Sequence, residues 1–397
     1  MGNAELRAIG VVTGARSDYG LYRPLLNKIQ ADPGLKLILY VTGMHLSPEF
    51  GLTVEMIEAD GFEISERVEM LLSSDKPEGI AKSMGLGTLG FAQVFARRPP
   101  DILLVLGDRF EMHAAALASL PFKIPVAHIH GGEITQGAMD DALRHSITKL
   151  SHLHFVSTRE YAERVKQLGE EPWRIVISGA LSLDNILSMQ PLTFEELVAR
   201  HNLRLEKPFL LVTYHPVTLE YEQTEWQVEE LLAAIGASDL PVLFTMPNAD
   251  AAGRTIIQMI ESFVAKRAPA QMIDNLGTEG YLGAMAHAAA MVGNSSSGIV
   301  EAAPFGLPVV NVGTRQYGRV RSSNVIDVGY DRSEISAGIQ KALSEVFRAQ
   351  AIGMASPFGD GQAAERIVET IKSVGLDERL LLKSFIDYQI IGQMEAG

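Results

Sequence analysis

The sequence predicts an α/β fold in two doubly wound halves. Three observations predict it. Short apolar, β-branched runs alternate with longer helix-like segments. The alternation pauses once, near 185–206, and then begins again. The length, 397 residues, suits two domains at roughly 100–200 residues each.

The first half runs AIGVVTG (8–14), LKLILYVTG (35–43), DILLVLGD (101–108), IPVAHIHGG (124–132), HLHFVST (152–158) and RIVISG (174–179). Each run closes on small or polar residues, as a buried parallel strand does where it gives way to a loop. Helical patterns such as YGLYRPLLNKIQ (19–30) and DALRHSITKLS (141–151) lie between them. Residues 182–207 are helix-like and polar, punctuated by Pro191 and Pro208. The second series is FLLVTYHP (209–216), PVLFTMPN (241–248), MVGNSSSG (291–298), PVVNVGTR (308–315) and NVIDVG (324–329). Two Rossmann-like domains are therefore expected, 1–185 and 186–375.

Composition narrows the function. Lys plus Arg number 34 and Asp plus Glu 48, a formal charge of −14. That balance argues against a general nucleic-acid binder, which needs a basic surface. Apolar residues at 47% supply real cores, so disorder is not the main state. Cysteine is absent, which excludes disulfides, thiolate nucleophiles and Cys-based metal sites. The start, MGNAELRAIGVVTGAR, carries Glu5 and lacks the apolar core of a signal peptide. No apolar run approaches the ~18–20 residues of a membrane span. A soluble, cytoplasmic protein with no membrane partner is the expectation.

In open α/β sheets ligands sit beyond the carboxyl ends of the strands, so two sheets point to the cleft between them. The first strand end, TGARSDYG (13–20), offers Gly14, a helix start and the Arg16 cation for an anion. It also reads as a plain strand–helix turn with Ser17 or Asp18 as N-cap. In LGDRFE, Asp108 follows five apolar residues and Gly107. It is a candidate general base, metal ligand or helix cap. HIHGGE is denser. His128 and His130 are expected on one strand face, Glu133 follows two glycines, and Asp140, Asp141, His145, His152 and His154 come downstream. This set reads as a metal site or as metal-free acid/base chemistry with paired carboxylates. His128 alone reads equally as a buried, hydrogen-bonded core residue.

The second half opens with YHP, where Pro216 stops the strand and His215 faces the cleft. GNSSSG then places Ser295, Ser296 and Ser297 at a helix start suited to a diphosphate, with Glu301 placed for a ribose diol. Arg315, Arg319 and Arg321 add cations near another strand end. Both halves offer phosphate-friendly loops, but only the first offers acidic chemistry. That combination points to a nucleotide-linked substrate, with its nucleotide on the second half and its reacting group against the first.

Taken in order, TGARSDYG, LGDRFE, HIHGGE with DDALRHSITKLSHLHF, YHPV, GNSSSG and NVGTRQ resemble the hydrolysing UDP-N-acetylglucosamine 2-epimerases of sialic-acid pathways. Relatives acting on 2,4-diacetamido-trideoxyhexose nucleotides in legionaminic-acid pathways share these motifs. The resemblance spans about 8–375. It implies a glycosyltransferase-B-type fold, an active site in the interdomain cleft, and a C-terminal helix, 376–397, returning to the first domain. It implies anti elimination of UDP across C1–C2, then hydration of the 2-acetamidoglucal to N-acetylmannosamine. No metal and no cofactor are implied, and a homodimer or homotetramer is.

By position, the resemblance makes Asp108, Glu133 and Asp140 the acid/base carboxylates and adds His215 to the catalytic set. It gives substrate and nucleotide binding to Arg16, Asp18, His45, Arg109, Asn294, Ser295, Ser296, Ser297, Gly298, Glu301, Arg315 and Arg321. The loop GARSDYG, in place of the GTRPE-like loop of non-hydrolysing epimerases, favours hydrolysis. UDP-N-acetylglucosamine is the leading expected substrate, with UDP- or GDP-2,4-diacetamido-2,4,6-trideoxyhexose as the alternative. The competing classes are a glycosyltransferase of the same fold and a metal-dependent hydrolase using His128, His130 and Glu133.

Overall fold

The computed structural model describes residues 6–73, 76–135, 139–246 and 253–387. The chain forms two compact units, one from the chain up to Glu133, Met139–Asn185 and the chain from Gly361, the other mainly from Ile186–Asp360.

The first unit holds a seven-stranded sheet. Its strands are β1 (Arg7–Thr13), β2 (Leu35–Thr42), β3 (Ile64–Val68), β4 (Ile102–Leu106), β5 (Val126–Ile129), β6 (Leu153–Val156) and β7 (Ile175–Ile177), in the order β3-β2-β1-β4-β5-β6-β7. The second unit holds β8 (Leu210–Thr213), β9 (Val242–Thr245), β10 (Ala270–Ile273), β11 (Ala290–Gly293), β12 (Val309–Val312) and β13 (Val325–Val328), in the order β10-β9-β8-β11-β12-β13. Every pairing is parallel.

Helices cover both faces of the first sheet, so the central strand β4, ILLVL, is buried along its whole length. Two strands escape the apolar-run reading, β3 and β10. Both are edge strands with one neighbour, and neither forms a continuous buried run: ISERV is largely half-buried and AQMI wholly so.

The return to the first unit comes earlier than 376. The helix Ala363–Ser373 buries Ala363, Ala364, Ile367, Val368 and Ile371 in the first unit's core. Asp184 caps it, accepting from the N–H groups of Ala363 at 3.0 Å and Ala364 at 2.8 Å. The expected helix over 376–397 is not formed where it is described. A single turn, Glu378–Leu381, leads into non-helical chain through 387. Buried Arg174 donates to the carbonyls of Arg379, Leu380 and Leu382, and this side-chain grip takes the place of a helical ladder. Residues 388–397 lie outside the described residues. Among the described residues, no helix is long and apolar enough to cross a membrane.

In each sheet the order reverses once, between β1 and β4 and between β8 and β11. At such a switch point the flanking connections leave on opposite faces and open a crevice beyond the strand ends.

Candidate active site

At the β1/β4 switch the first loop is organised from within. Asp18 is buried, and its carboxylate accepts from the N–H groups of Gly14 at 2.9 Å and Ala15 at 2.8 Å and from Thr13 Oγ1 at 3.2 Å. Burial still pushes this carboxyl up to about 6. His45 is fully buried, with Thr13 Oγ1 2.9 Å and Thr53 Oγ1 2.7 Å from its two ring nitrogens. Burial lowers it to about 4, so it is neutral at pH 7. Asp18 and His45, both expected to bind substrate, instead frame the loop. The amides of Gly14 and Ala15 are taken by Asp18 and are not an anion cradle. Arg16, by contrast, is exposed in the first turn of the helix Arg16–Ala31.

Arg109 grips Glu111 with two bonds, 2.6 and 3.1 Å long, and Glu111 is fully buried. The room for Glu111 comes from Gly43, at φ +58, where a Cβ would stand 2.6 Å from Glu111 Oε1. Gly14, where a Cβ would stand 3.2 Å from Glu111 Cδ, brings in a third strand-end loop around this one carboxylate.

The acid/base candidates gather one strand further on. Arg144, from the helix Met139–Leu150, is buried and pairs with Asp108. Its Nη1 donates to the His130 carbonyl at 2.9 Å and lies 3.7 Å from Glu133 Oε2. Glu133 Oε1 meets His130 Nδ1 at 3.0 Å and accepts from Ser157 Oγ at 3.1 Å. Asp140 heads the helix that carries Arg144. Its carboxyl is held above the usual range, first by burial and then by the nearby Asp108 charge.

The histidines separate. His128 is buried, with Gly107 O and Thr148 Oγ1 on its two ring nitrogens, and burial lowers it to about 3. With both nitrogens engaged, it is the core residue of the bland reading and not a metal ligand. His130 does not share its strand face, because β5 ends at Ile129 and His130 turns to φ +65. His152 Nδ1 accepts from the Val126 N–H, and His154 pairs with buried Glu170 at 3.0 Å. His145 stands 3.7 Å from Asp141.

At the β8/β11 switch, Asn294 ties two strand ends together. Its Oδ1 accepts from the His215 N–H at 2.7 Å and its Nδ2 donates to the His215 carbonyl at 2.8 Å. Burial, with Arg315 adding to it, lowers the His215 ring to about 3, so it is neutral. Ser295 caps the five-residue helix Ser296–Val300, and Ser297 Oγ lies 2.6 Å from the Tyr281 hydroxyl. Ser296 is exposed. Gly298 is buried where a Cβ would stand 3.0 Å from Val309 Cγ1, so it serves packing. Glu301 follows that helix, and burial raises it to about 7. Arg315 donates to the Asn294 carbonyl at 3.1 Å. Arg321 is committed to its own loop, to Asp327 and to the carbonyls of Arg319 and Gln316.

The family model described as UDP-N-acetylglucosamine 2-epimerase matches residues 27–372. The chain belongs to this family. Two relatives place it on the family's hydrolysing side. The GDP/UDP-N,N'-diacetylbacillosamine 2-epimerase (hydrolyzing) of Campylobacter jejuni is 39% identical over 384 residues, 96% of this chain and 99% of that one. The UDP-N,N'-diacetylbacillosamine 2-epimerase (hydrolyzing) of Legionella pneumophila is 38% identical, over 95% of this chain and 99% of that one. The fold matches the UDP-GlcNAc 2-epimerase of Neisseria meningitidis bound to UDP-GlcNAc, with a TM-score of 0.79 at 17% identity, covering 92% of this chain and all of the other. The resemblance read from the motifs, and the two parallel-sheet, glycosyltransferase-B-type domains it implies, are borne out.

In this epimerase-family chain the sequence reading passed over Arg144 and used His130 only as a metal ligand. Arg144 carried a signal. It sits on the stripe Leu143–Ile147 that the helix buries, and an arginine on a buried stripe needs a charged partner. The turn at His130 carried none, since a positive φ on a non-glycine residue is not written in the pattern.

Proposed function

We propose that this hydrolysing 2-epimerase acts on a nucleotide-linked 2,4-diacetamido-2,4,6-trideoxyhexose, releasing the free 2-epimeric sugar and the nucleoside diphosphate. The observation that carries the chemistry is the cluster knit by Arg144: Asp108 and Glu133 share one buried guanidinium, and Asp140 has a raised carboxyl close by. Carboxylates in such unlike settings suit opposite proton roles. The weakly acidic C2 proton needs a held base, and the opposite face of C2 needs an acid that keeps its proton. Asp140, pushed upward, fits the acid. Asp108 and Glu133, both tied to Arg144, fit the base side. In the first step the C2–H electron pair becomes the C1=C2 bond, while the C1–O pair leaves with the diphosphate. In the second, water adds its oxygen to C1 and a proton is delivered to C2.

The second unit offers the nucleotide its groups: Glu301 for the ribose diol, Ser295, Ser296 and Ser297 for phosphate oxygens, neutral His215 and Arg315 beside them. Arg16 adds a cation on the phosphate side. Charge on the departing diphosphate is where such donors contribute most.

The sequence alone leads with UDP-N-acetylglucosamine. Two supports favour the diacetamido sugar. Both relatives above are named for N,N'-diacetylbacillosamine nucleotides. A cavity of about 330 Å³ beside Arg109 is walled by Met44, Phe50, Leu71, Leu72, Ile80 and Phe110, with Glu49, Ser73 and Ser83 as its polar lining. Its apolar side suits an acetyl methyl and a 6-deoxy carbon, and its polar lining offers partners for an amide. A proton NMR time course in D₂O, run on both nucleotide sugars, tests the reading. The expected result is free 2-epimer deuterated at C2 with free nucleotide, faster from the diacetamido substrate. Both substrates intact after prolonged incubation overturns it.

A further inference from the structure

Four observations converge on His130. Its backbone stands at φ +65, a left-handed conformation that non-glycine residues adopt sparingly and that clusters at functional sites. Its Nδ1 lies 3.0 Å from Glu133 Oε1. Its Nε2 is buried and meets no hydrogen-bonding group among the described residues, while its side chain keeps 14% of its surface exposed. Glu133 itself is heavily engaged, with His130 and Ser157 on Oε1 and Arg144 beside Oε2. A carboxylate whose Oε1 already faces two donors is placed to orient the imidazole beside it. An imidazole held at Nδ1 in this way keeps Nε2 as its free ring nitrogen, the arrangement of a base oriented by a third group.

We propose that His130 takes the C2 proton and that Glu133 acts through it as a positioning residue. Nδ1–H donates to Glu133, and the lone pair of Nε2 faces the reacting carbon. As the C1–O bond breaks and its electrons leave on the diphosphate, the C2–H pair forms the C1=C2 bond. The proton then rests on Nε2 as an imidazolium paired with Glu133. The other charged and titratable groups around the ring are Arg144, whose guanidinium holds the His130 carbonyl, Asp108 across that guanidinium, and His128 two residues back. The inference rests on the epimerase reading, and the wild-type protein separates the two. If it releases no nucleotide from either nucleotide sugar, the functional reading fails first.

With active wild type, two variants test His130. H130N keeps a residue tolerated at this φ, and H130G relieves the backbone altogether. Circular dichroism melts establish that both fold. Nucleotide release is expected to fall 10²–10⁴-fold in H130N with UDP affinity unchanged. Added imidazole is expected to restore part of kcat to H130G, in proportion to the basicity of the azole used. The double variant H130N/E133Q is expected to be no slower than H130N, since the second change acts through a group already lost. Release within threefold of wild type in H130N overturns the proposal. So does folded H130G that no azole rescues, an additive double variant, or UDP released at the wild-type rate with glucal accumulating, which places His130 in the hydration step.

Discussion

If Glu301 holds the ribose diol as proposed, binding of the nucleotide depends on pH in a calculable way. Burial lifts its carboxyl from 4.5 to about 7, so it is half protonated in the unliganded protein at neutral pH. A ribose diol offers two hydroxyl donors, and only the ionised carboxylate accepts both on equal terms. Binding therefore draws the proton off. At pH 5, two units below the titration point, ionising the group costs about 1.4 kcal/mol per unit, roughly 2.7 kcal/mol in all. UDP affinity should fall by up to ~100-fold between pH 8 and pH 5 from this group alone. Glu301→Gln removes it, and the phosphate titration of UDP is common to both proteins and cancels in the comparison. Calorimetric titrations in two buffers of different ionisation heat read affinity and proton release together. Close to half a proton per UDP is expected to leave the wild-type protein at pH 7, beyond any released by the variant. The same shift sets stability. Because the folded value is raised, the penalty is absent below 4.5, grows as pH rises through about 7, and reaches ~3 kcal/mol above it. The Gln variant should match wild type at pH 4.5 and exceed it at pH 8. Parallel binding curves and equal proton counts for the two proteins would refute the ribose role.

Three other outcomes follow from the geometry. Asp108→Asn should lower turnover at least 10²-fold while UDP binding measured by calorimetry is largely kept; near-normal turnover removes Asp108 from the proton chemistry. Arg144→Met strands the buried Glu133, the half-buried Asp108 and the His130 carbonyl, so it should cost about 3 kcal/mol in denaturant unfolding as well as activity; wild-type stability would mean the pairs are worth little. Gly132→Ala forces a side chain at φ +77 with its Cβ 2.5 Å from the Tyr161 carbonyl oxygen, and a fall of several degrees in Tm is expected; an unchanged melt would show that the loop simply moves aside.

The strands at the centre of each sheet were legible because helices on both faces demand unbroken apolar runs, and ILLVL has no other reading. The edge strands β3 and β10 were not, since half-buried residues satisfy the same backbone pattern. Asp108 and Glu133 were legible for the opposite reason: a carboxylate one glycine past a buried strand, or just after a glycine pair, stands out against its neighbours. What the pattern does not record is direction. Asp18 and His45 have the residue types and positions of ligand-binding groups, yet both turn inward onto Thr13 and the first loop. A donor spent on backbone and a donor kept for substrate look alike until the chain is folded.

That distinction decides how an acidic chain holds a diphosphate. Several arginines near the strand ends are already neutralised, Arg109 by Glu111, Arg144 by Asp108 and Arg321 by Asp327. Among the described residues Arg16 makes no ion pair and is exposed at a helix start, where the helix dipole also favours negative charge. If it lies on the diphosphate as proposed, it adds cationic attraction that those paired arginines do not. One charge-assisted hydrogen bond contributes about 1.5–3 kcal/mol, so Arg16→Ala should weaken UDP binding roughly 10- to 100-fold. Arg16→Lys should recover part of the loss, because a point charge keeps the attraction and gives up the two-pronged contact. The attraction is screened by salt, so the wild-type affinity should fall more steeply than the alanine variant's as ionic strength rises. Equal affinities, or equal salt slopes, would place Arg16 outside the diphosphate site and leave that anion to backbone amides and hydroxyls.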